Sequence, residues 1–374
     1  MALITYLTTI HFDHGAIALA ESECRRLGIA RPLVVTDPGL AAGPLVARLR
    51  EALGALPVTL FGDTPANPTE AAVLAALARY RDGGCDGVVA LGGGSSIDLG
   101  KAVALLATHA PPLVQYALVE GGGTRITAAV APLIAIPTTA GTGSEVGRGA
   151  VIVLGDGRKL GLISPHLLPR AAICDPDLTL GLPPLLTAAT GMDAVAHCIE
   201  TFLAPAVNPP AEAIALDGLA RAARHIERAV ADGSDRAARW EMMMAAMEGA
   251  MAFQKGLGAV HALSHPLGAL PQKLHHGTLN AVLLPEVLRF NASHVGDKMA
   301  RLATAMGLAP GADVAAAIAA LNARIGLPAG LGAMGAPRDA LPAIAAAALK
   351  DHCHATNPRP ATEADYLDIL ERGF

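Results

Sequence analysis

The 374-residue chain contains only five cysteines, Cys24, Cys85, Cys174, Cys198 and Cys353, and no two of them form a Cys-x-x-Cys pair. That scarcity and spacing argue against a disulfide framework and against a thiolate zinc site. Charge is also scarce: 16% of residues are charged against 52% hydrophobic, which excludes a disordered chain and favours a well-buried, oligomerising protein. The net charge of −5 comes without a basic cluster, so no electrostatic footprint for nucleic acid is present. No apolar run reaches the length of a membrane span without an interrupting charge, proline or glycine cluster. The opening stretch MALITYLTTIHFDHG has neither the basic leader nor the small-residue cleavage site of a secretory signal. The expectation is a cytoplasmic protein with no membrane or nucleic-acid partner, free thiols and a small-molecule ligand. At this length two domains are expected.

The first half alternates short β-branched runs with helical stretches. Pro32 to Thr36 and Gly87 to Leu91 read as strands, Ala71 to Arg81 between them reads as a helix, and Pro132 to Ile136 adds a further buried strand. This alternation is the signature of βαβ units and a parallel sheet with helices on its faces. After Leu180-Gly181-Leu182-Pro183-Pro184 the sequence turns helical throughout, and the paired prolines suit a helix start. The boundary is therefore expected there, with an α/β domain over 1–180 and an all-helical domain over 181–374. Asn322, Arg324, Pro328 and Pro337 break the Ala-rich stretch from 312 to 350 into separate helices, and no internal repeat is evident.

One aspartate and a run of histidines stand out in the second half. Asp193 and His197 are four residues apart, so on a helix they project from one face a single turn apart. His261 and His265 repeat the spacing, and His275-His276-Gly277 follows. A hydrogen-bonded Asp/His pair would explain any one of these pairs. Their number, each in an apolar stretch where unpaired polar groups are costly, favours a metal site. A carboxylate with imidazoles suits iron(II) or zinc(II) with a coordination position left open for catalysis.

Three loops in the first half read as dinucleotide contacts. Gly92-Gly93-Gly94-Ser95-Ser96-Ile97-Asp98 follows a strand and opens a helix, where backbone N–H groups attract phosphate, although it is not Gly-x-Gly-x-x-Gly. A tight turn that merely caps the helix is the alternative. Pro137 to Glu145 is dense in small hydroxylated residues. Asp37 ends a strand, where it can accept from a ribose 2′-hydroxyl and repel a 2′-phosphate, favouring NAD over NADP; as a turn former it would have no such role.

With these segments in hand, the chain resembles the iron-containing (group III) alcohol dehydrogenases. The motifs run in that family's order: Thr36-Asp37, GGGSSIDLGKA at 92 to 102, AIPTTAGTGSEV at 135 to 146, GMDAVAHCIE at 191 to 200, GLGAVHALSHPLGA at 256 to 269 and HHGTLNAVLLP at 275 to 285. The resemblance implies a dehydroquinate synthase-like architecture, with an N-terminal dinucleotide-binding α/β domain, an all-α C-terminal domain, and a metal and nicotinamide in the cleft between them. Carried over motif by motif, the metal ligands are Asp193, His197, His261 and His276. His275 stays the alternative to His276, because one extra residue lies between Pro266 and the final His-Gly. His265 matches the histidine beside the nicotinamide, expected to relay a proton. Asp37, Asn67, Gly93, Gly94, Ser95, Asp98, Thr138, Thr139, Lys159 and Leu178 match cofactor-contacting positions, and Phe253 matches a residue near the nicotinamide ring.

The activity so implied is reversible hydride transfer between NAD(H) and an alcohol, with iron(II) or zinc(II) as Lewis acid, in a homodimer. A lyase or synthase of the dehydroquinate synthase type, which uses and regenerates NAD, is the competing activity on this architecture. Gly147-Arg148 replaces the hydroxylated residue that many relatives carry after the third loop. Arg148 is either a fork for an acidic substrate or a solvated surface group. Asp351-His352-Cys353-His354 looks like a metal cluster outside the ligand motifs and is expected to line or close the cleft.

Overall fold

A computed structural model describes residues 8–374. The described chain divides into two compact units, one comprising residues 8–139 and 144–179 and the other residues 140–143 and 180–374.

The first unit is built on eight strands: β1 (Thr9–Phe12), β2 (Pro32–Val35), β3 (Thr59–Phe61), β4 (Gly87–Gly92), β5 (Leu133–Pro137), β6 (Gly149–Val153), β7 (Lys159–Ile163) and β8 (Ala171–Cys174). Its helices are α1 (Ala20–Arg26), α2 (Pro38–Ala41), α3 (Pro44–Ala52), α4 (Glu70–Asp82) and α5 (Gly94–Leu106). Six strands form one parallel sheet in the order β1-β8-β5-β4-β2-β3. The remaining two, β6 and β7, make a separate antiparallel hairpin.

Every residue of β2, β4, β5 and β8 is buried, as continuous apolar strands covered on both faces must be. Successive side chains alternate between two cores. Leu33, Val35, Val88, Ala90, Leu133 and Ala135 join Val73, Leu77 and Ile97 from α4 and α5. On the opposite face Val34, Val89, Leu91, Ile134 and Ile136 join Cys24, Val46 and Leu49 from α1 and α3. The expected strands at 32, 87 and 132 and the helix at 71 are therefore present, each within a residue or two of its expected ends. β1, β3, β8 and the hairpin were not expected; β1 and β3 are three or four residues of mixed burial, and β8, Ala-Ala-Ile-Cys, lacks the β-branched run of β2.

The sheet order has a consequence for ligand binding. β2 pairs with β3 on one side and β4 on the other, so the chain direction across the sheet reverses between β2 and β4. Ligands of open α/β sheets bind beyond the strand C-termini at such a switch point. The two loops leaving it are Thr36-Asp37 and Gly92-Gly93-Gly94.

The second unit carries nine α-helices among its described residues: α6 (Pro184–Leu203), α7 (Pro209–Ala231), α8 (Arg236–Ala252), α9 (Ala259–Gly268), α10 (His276–Asn291), α11 (Lys298–Ala305), α12 (Val314–Arg324), α13 (Leu341–Ala348) and α14 (Glu363–Arg372). Pro184 opens α6 as expected. All of α6 from Thr187 to Leu203 is buried, so it is a core helix rather than an amphipathic surface helix, and it packs against α7, α8 and α10. Arg239, 1% exposed, ties α8 to the start of α6 by donating to Thr187 Oγ1 at 2.8 Å and to the carbonyl of Leu182. No described helix is long and apolar enough to cross a membrane.

Candidate metal centre and dinucleotide loops

Asp193 and His197 project from the buried helix α6, His261 from α9, and His276 is the first residue of α10. Asp193 Oδ1 lies 3.7 Å from His197 Nε2, 3.8 Å from His261 Nε2 and 3.8 Å from His276 Nε2. Three imidazole nitrogens thus surround one carboxylate oxygen at separations too long for hydrogen bonds. Ligands held about 2.0–2.2 Å from a common tetrahedral ion would stand roughly 3.4 Å apart, which is close to the observed spacing. Asp193, His197 and His261 are 2–4% exposed, and burial holds the imidazole of His261 well below its usual pKa, leaving its lone pair free. The donor set and its spacing fit a divalent metal.

Two further side chains organise the cluster. Glu200, on the same helix at i+7 from Asp193, takes His261 Nδ1 at 2.6 Å through Oε2 and accepts from the Val260 backbone N–H at 2.7 Å through Oε1. Burial pushes its carboxyl up to about 7, opposed by the N–H groups of Val260 and Gly258 that favour the charged form. Asn280 Nδ2 donates to Asp193 Oδ1 at 2.7 Å and lies 3.2 Å from both His261 Nε2 and His276 Nε2. Neither residue was singled out from the sequence. Both carried a signal: Glu200 continues the Asp193/His197 face of α6, and Asn280 lies one turn after His276.

The neighbouring histidines separate cleanly. His275 is the N-cap of α10, with Nδ1 accepting from the Thr278 backbone N–H and 3.2 Å from Thr278 Oγ1, so it is His276 that joins the cluster. Gly277 is needed here, because a Cβ would stand 2.3 Å from the carbonyl oxygen of Ala189 in α6. Although His265 shares a helix face with His261, its Nδ1 meets Asp351 Oδ2 at 2.9 Å instead. The His265 ring stacks on His276, with centroids 5.5 Å apart. The ring of Phe253 meets His197 edge-on at 5.3 Å.

In the α/β unit the expected cofactor positions fall into two groups. Gly93 is the N-cap of α5 and Gly94 its first residue, directly after β4. The preceding Gly92 has φ +150°, which an L side chain rarely adopts. Asp37 follows β2 and caps α2 by accepting from the Gly39 N–H at 2.9 Å through Oδ1, so its turn role is realised. Thr138 pairs with the Gly92 carbonyl at 3.0 Å, and Thr139 would lie 3.3 Å from a Cβ on Gly93. Lys159 Nζ donates to Asn67 Oδ1 at 2.8 Å, and Ser95 Oγ donates to the carbonyl of Ala66.

Asp98 and Leu178 do structural work as well. Asp98 accepts from Ser144 Oγ and from the Val151 N–H at 2.9 Å, while burial pushes its carboxyl up. Beside it Lys101, lowered to about 8 by burial, donates to Ser144 Oγ and to the carbonyls of Gly147 and Gly149. Leu178 is 2% exposed and part of the apolar core. Arg148 is exposed. Residues 140–143 of the third loop cluster with the helical unit, where a Cβ on Gly141 would stand 2.6 Å from the carbonyl oxygen of Thr190.

Known proteins bear directly on this arrangement. Residues 8–176 match the family model described as iron-containing alcohol dehydrogenase, and residues 187–374 match that of the Fe-containing alcohol dehydrogenase family, C-terminal. The 4-hydroxybutyrate dehydrogenase of Cupriavidus necator is 60% identical, with 100% of each chain covered. A crystal structure of 1,3-propanediol oxidoreductase superposes with TM-score 0.95 at 36% identity over 100% of each chain. A sulfoacetaldehyde reductase from Bifidobacterium kashiwanohense, solved in complex with NAD+, superposes with TM-score 0.89 at 28% identity, covering 100% of this chain and 99% of that one. Matched through both of its halves, the chain belongs to the iron-containing alcohol dehydrogenase family and is an alcohol dehydrogenase.

Proposed function

We propose that the enzyme interconverts a short ω-hydroxy acid of the 4-hydroxybutyrate type and the corresponding aldehyde acid, with NAD(H) as hydride partner. The observation that carries the catalytic part is the gathering of three imidazole nitrogens around Asp193 Oδ1. The substrate class is supported by the 60% identity, across the full length, to a protein named for 4-hydroxybutyrate. In this reading the 1–180 part holds the dinucleotide and the 181–374 part the metal and the reacting carbon.

Asp193, His197, His261 and His276 would hold one divalent ion, iron(II) before zinc(II). When bound, it supplies Lewis acidity that eases loss of the substrate hydroxyl proton. The dinucleotide supplies the hydride acceptor. Gly93, Gly94 and Ser95 open α5 with backbone N–H groups aimed beyond the sheet edge, where a pyrophosphate would be held, and Asn67, Asp98, Thr138, Thr139, Lys159 and Leu178 would line or support that pocket. Asp37 keeps a carboxylate at the switch point, which favours NAD over a 2′-phosphorylated dinucleotide.

The remaining residues position and protonate. Glu200, accepting from His261 Nδ1–H, leaves Nε2 with its lone pair toward Asp193. Asp351 likewise anchors His265 through Nδ1, leaving Nε2 to take the hydroxyl proton and pass it to solvent. Phe253, against His197, would exclude water beside the nicotinamide ring. Five free cysteines suit a reducing cytoplasm, and a charged content of only 16% suits a homodimer.

The test is NADH formation from 4-hydroxybutyrate, 1,3-propanediol and butan-1-ol, with NAD and then NADP. We expect kcat/KM for 4-hydroxybutyrate with NAD to exceed the other two alcohols by at least about tenfold, equivalent to about 1.4 kcal/mol of transition-state discrimination. Equal or better turnover of butan-1-ol would refute the hydroxy-acid assignment, and no reduction of NAD by any of the three would refute the activity.

A further inference from the structure

Outside the Asp193 cluster the helical unit assembles a second group of ligand-type side chains. His265 from α9 meets the turn that follows α13, where Asp351, His352 and Cys353 are consecutive. One ligand atom from each of the four lies within 4.8 Å of every other. Asp351 Oδ2 is 2.9 Å from His265 Nδ1, Asp351 Oδ1 is 3.6 Å from His352 Nδ1, and Cys353 Sγ is 3.4 Å from His352 Nε2. The Cys353 backbone N–H donates to Asp351 Oδ1 at 2.8 Å and holds the turn in this shape.

We propose that His265, Asp351, His352 and Cys353 form a second divalent-cation site, selective for zinc(II), whose occupation withdraws His265 from proton transfer and inhibits the enzyme. The binding part stands on geometry alone; the inhibition rests on the role given to His265 above. Two imidazoles, a carboxylate and a thiol are a borderline-to-soft donor set that suits zinc(II) and disfavours magnesium and calcium. The site is sheltered: the side chains of His265, Asp351 and His352 are 7%, 10% and 22% exposed and Cys353 is 2% exposed. Burial lowers the imidazole of His352, so its nitrogen lone pair is available. The rings of His276, His265 and His352 form a column, with successive centroids 5.5 Å and 5.6 Å apart, so the second ion would sit one ring away from the first cluster. On binding, the Cys353 thiol gives its proton to solvent and the thiolate becomes the ligand.

The experiment loads the enzyme with iron(II) anaerobically, adds excess zinc(II), removes unbound metal and counts both elements per chain alongside turnover. Cys353→Ser and His352→Gln are treated in the same way; neither residue belongs to the Asp193 cluster, and circular dichroism checks that each variant is folded. Cadmium(II) in place of zinc reads the thiolate directly as an ultraviolet charge-transfer band. The wild type is expected to hold one iron and one zinc per chain, to lose turnover as zinc binds, and to show the cadmium band. Either variant is expected to bind zinc more than about tenfold more weakly, to keep its iron and to resist inhibition, with the cadmium band gone from Cys353→Ser. Asp193→Ala, without the first cluster, is expected to retain one zinc, so the count stands even if alcohol oxidation does not. The proposal is overturned if the wild type takes up no zinc beyond the first cluster, if both variants retain it as tightly, or if the second ion leaves turnover unchanged.

Discussion

Replacing Asp193 with alanine is expected to abolish retention of iron(II) in the cluster it shares with His197, His261 and His276, and to lower kcat/KM for alcohol oxidation by at least about three orders of magnitude. The carboxylate is the only anion among the four converging side chains, and its Oδ1 is the atom around which the three Nε2 nitrogens are arranged. Without it, three buried or half-buried imidazoles face one another with no charge to balance a dication. Lewis-acid polarisation of a substrate oxygen is worth several kcal/mol, and each 1.36 kcal/mol or so is tenfold in rate, which sets the size of the loss. Asn280, deprived of its acceptor at 2.7 Å, loses the hydrogen bond that ties α10 to α6. Element analysis and steady-state NADH formation on the same preparation check this, with circular dichroism as the control for folding. Turnover within about tenfold of the wild type, or a full iron complement in the variant, would contradict it.

A smaller but more diagnostic effect is expected from Glu200→Gln. The glutamate accepts at both oxygens, from Val260 N–H and from His261 Nδ1. A glutamine in the same pose keeps an oxygen for Val260 and turns its NH2 toward His261. The imidazole must then accept at Nδ1 and carry its proton on Nε2, the nitrogen that faces Asp193. Metal affinity should fall by about 10–100-fold, the range seen when hydrogen-bond partners of ligating histidines are altered. Excess metal should restore turnover to Glu200→Gln, whereas Asp193→Ala should stay inactive. An unchanged metal dissociation constant in Glu200→Gln would show that Glu200 does not set the tautomer of His261.

These two variants also mark where sequence reasoning reached and where it stopped. The Asp193/His197 pair was legible because helical spacing alone puts both on one face of α6, and Glu200 at i+7 was open to the same argument. The continuous apolar runs at β2, β4 and β5 were legible because strands buried on both faces need no alternation. The short strands β1 and β3 were not, since three or four residues of mixed burial carry no pattern, and β8 was not, because Ala-Ala-Ile-Cys lacks the β-branched run that marks β2 and β4. Between His275 and His276 the sequence offered no choice, because it turns on capping: His275 accepts from the Thr278 N–H, while His276 Nε2 stands 3.8 Å from Asp193 Oδ1, which is why the ligand role is proposed for His276. The His265–Asp351 contact spans 86 positions, and nothing local in the chain announces it. Asp98 and Leu178 show the converse, because each has a hydrogen-bond or packing role that its motif position did not reveal, whereas Asp37 takes the turn role its position already offered.

The measurement closest to the central claim is an anaerobic titration of the metal-stripped enzyme with iron(II), following bound iron and NADH formation from 4-hydroxybutyrate together. Turnover should be absent at the start, rise in proportion to bound iron and level off at one ion per chain, with Asp193→Ala flat throughout. Full activity in the stripped enzyme, or a rise in turnover that Asp193→Ala shares, would contradict the account.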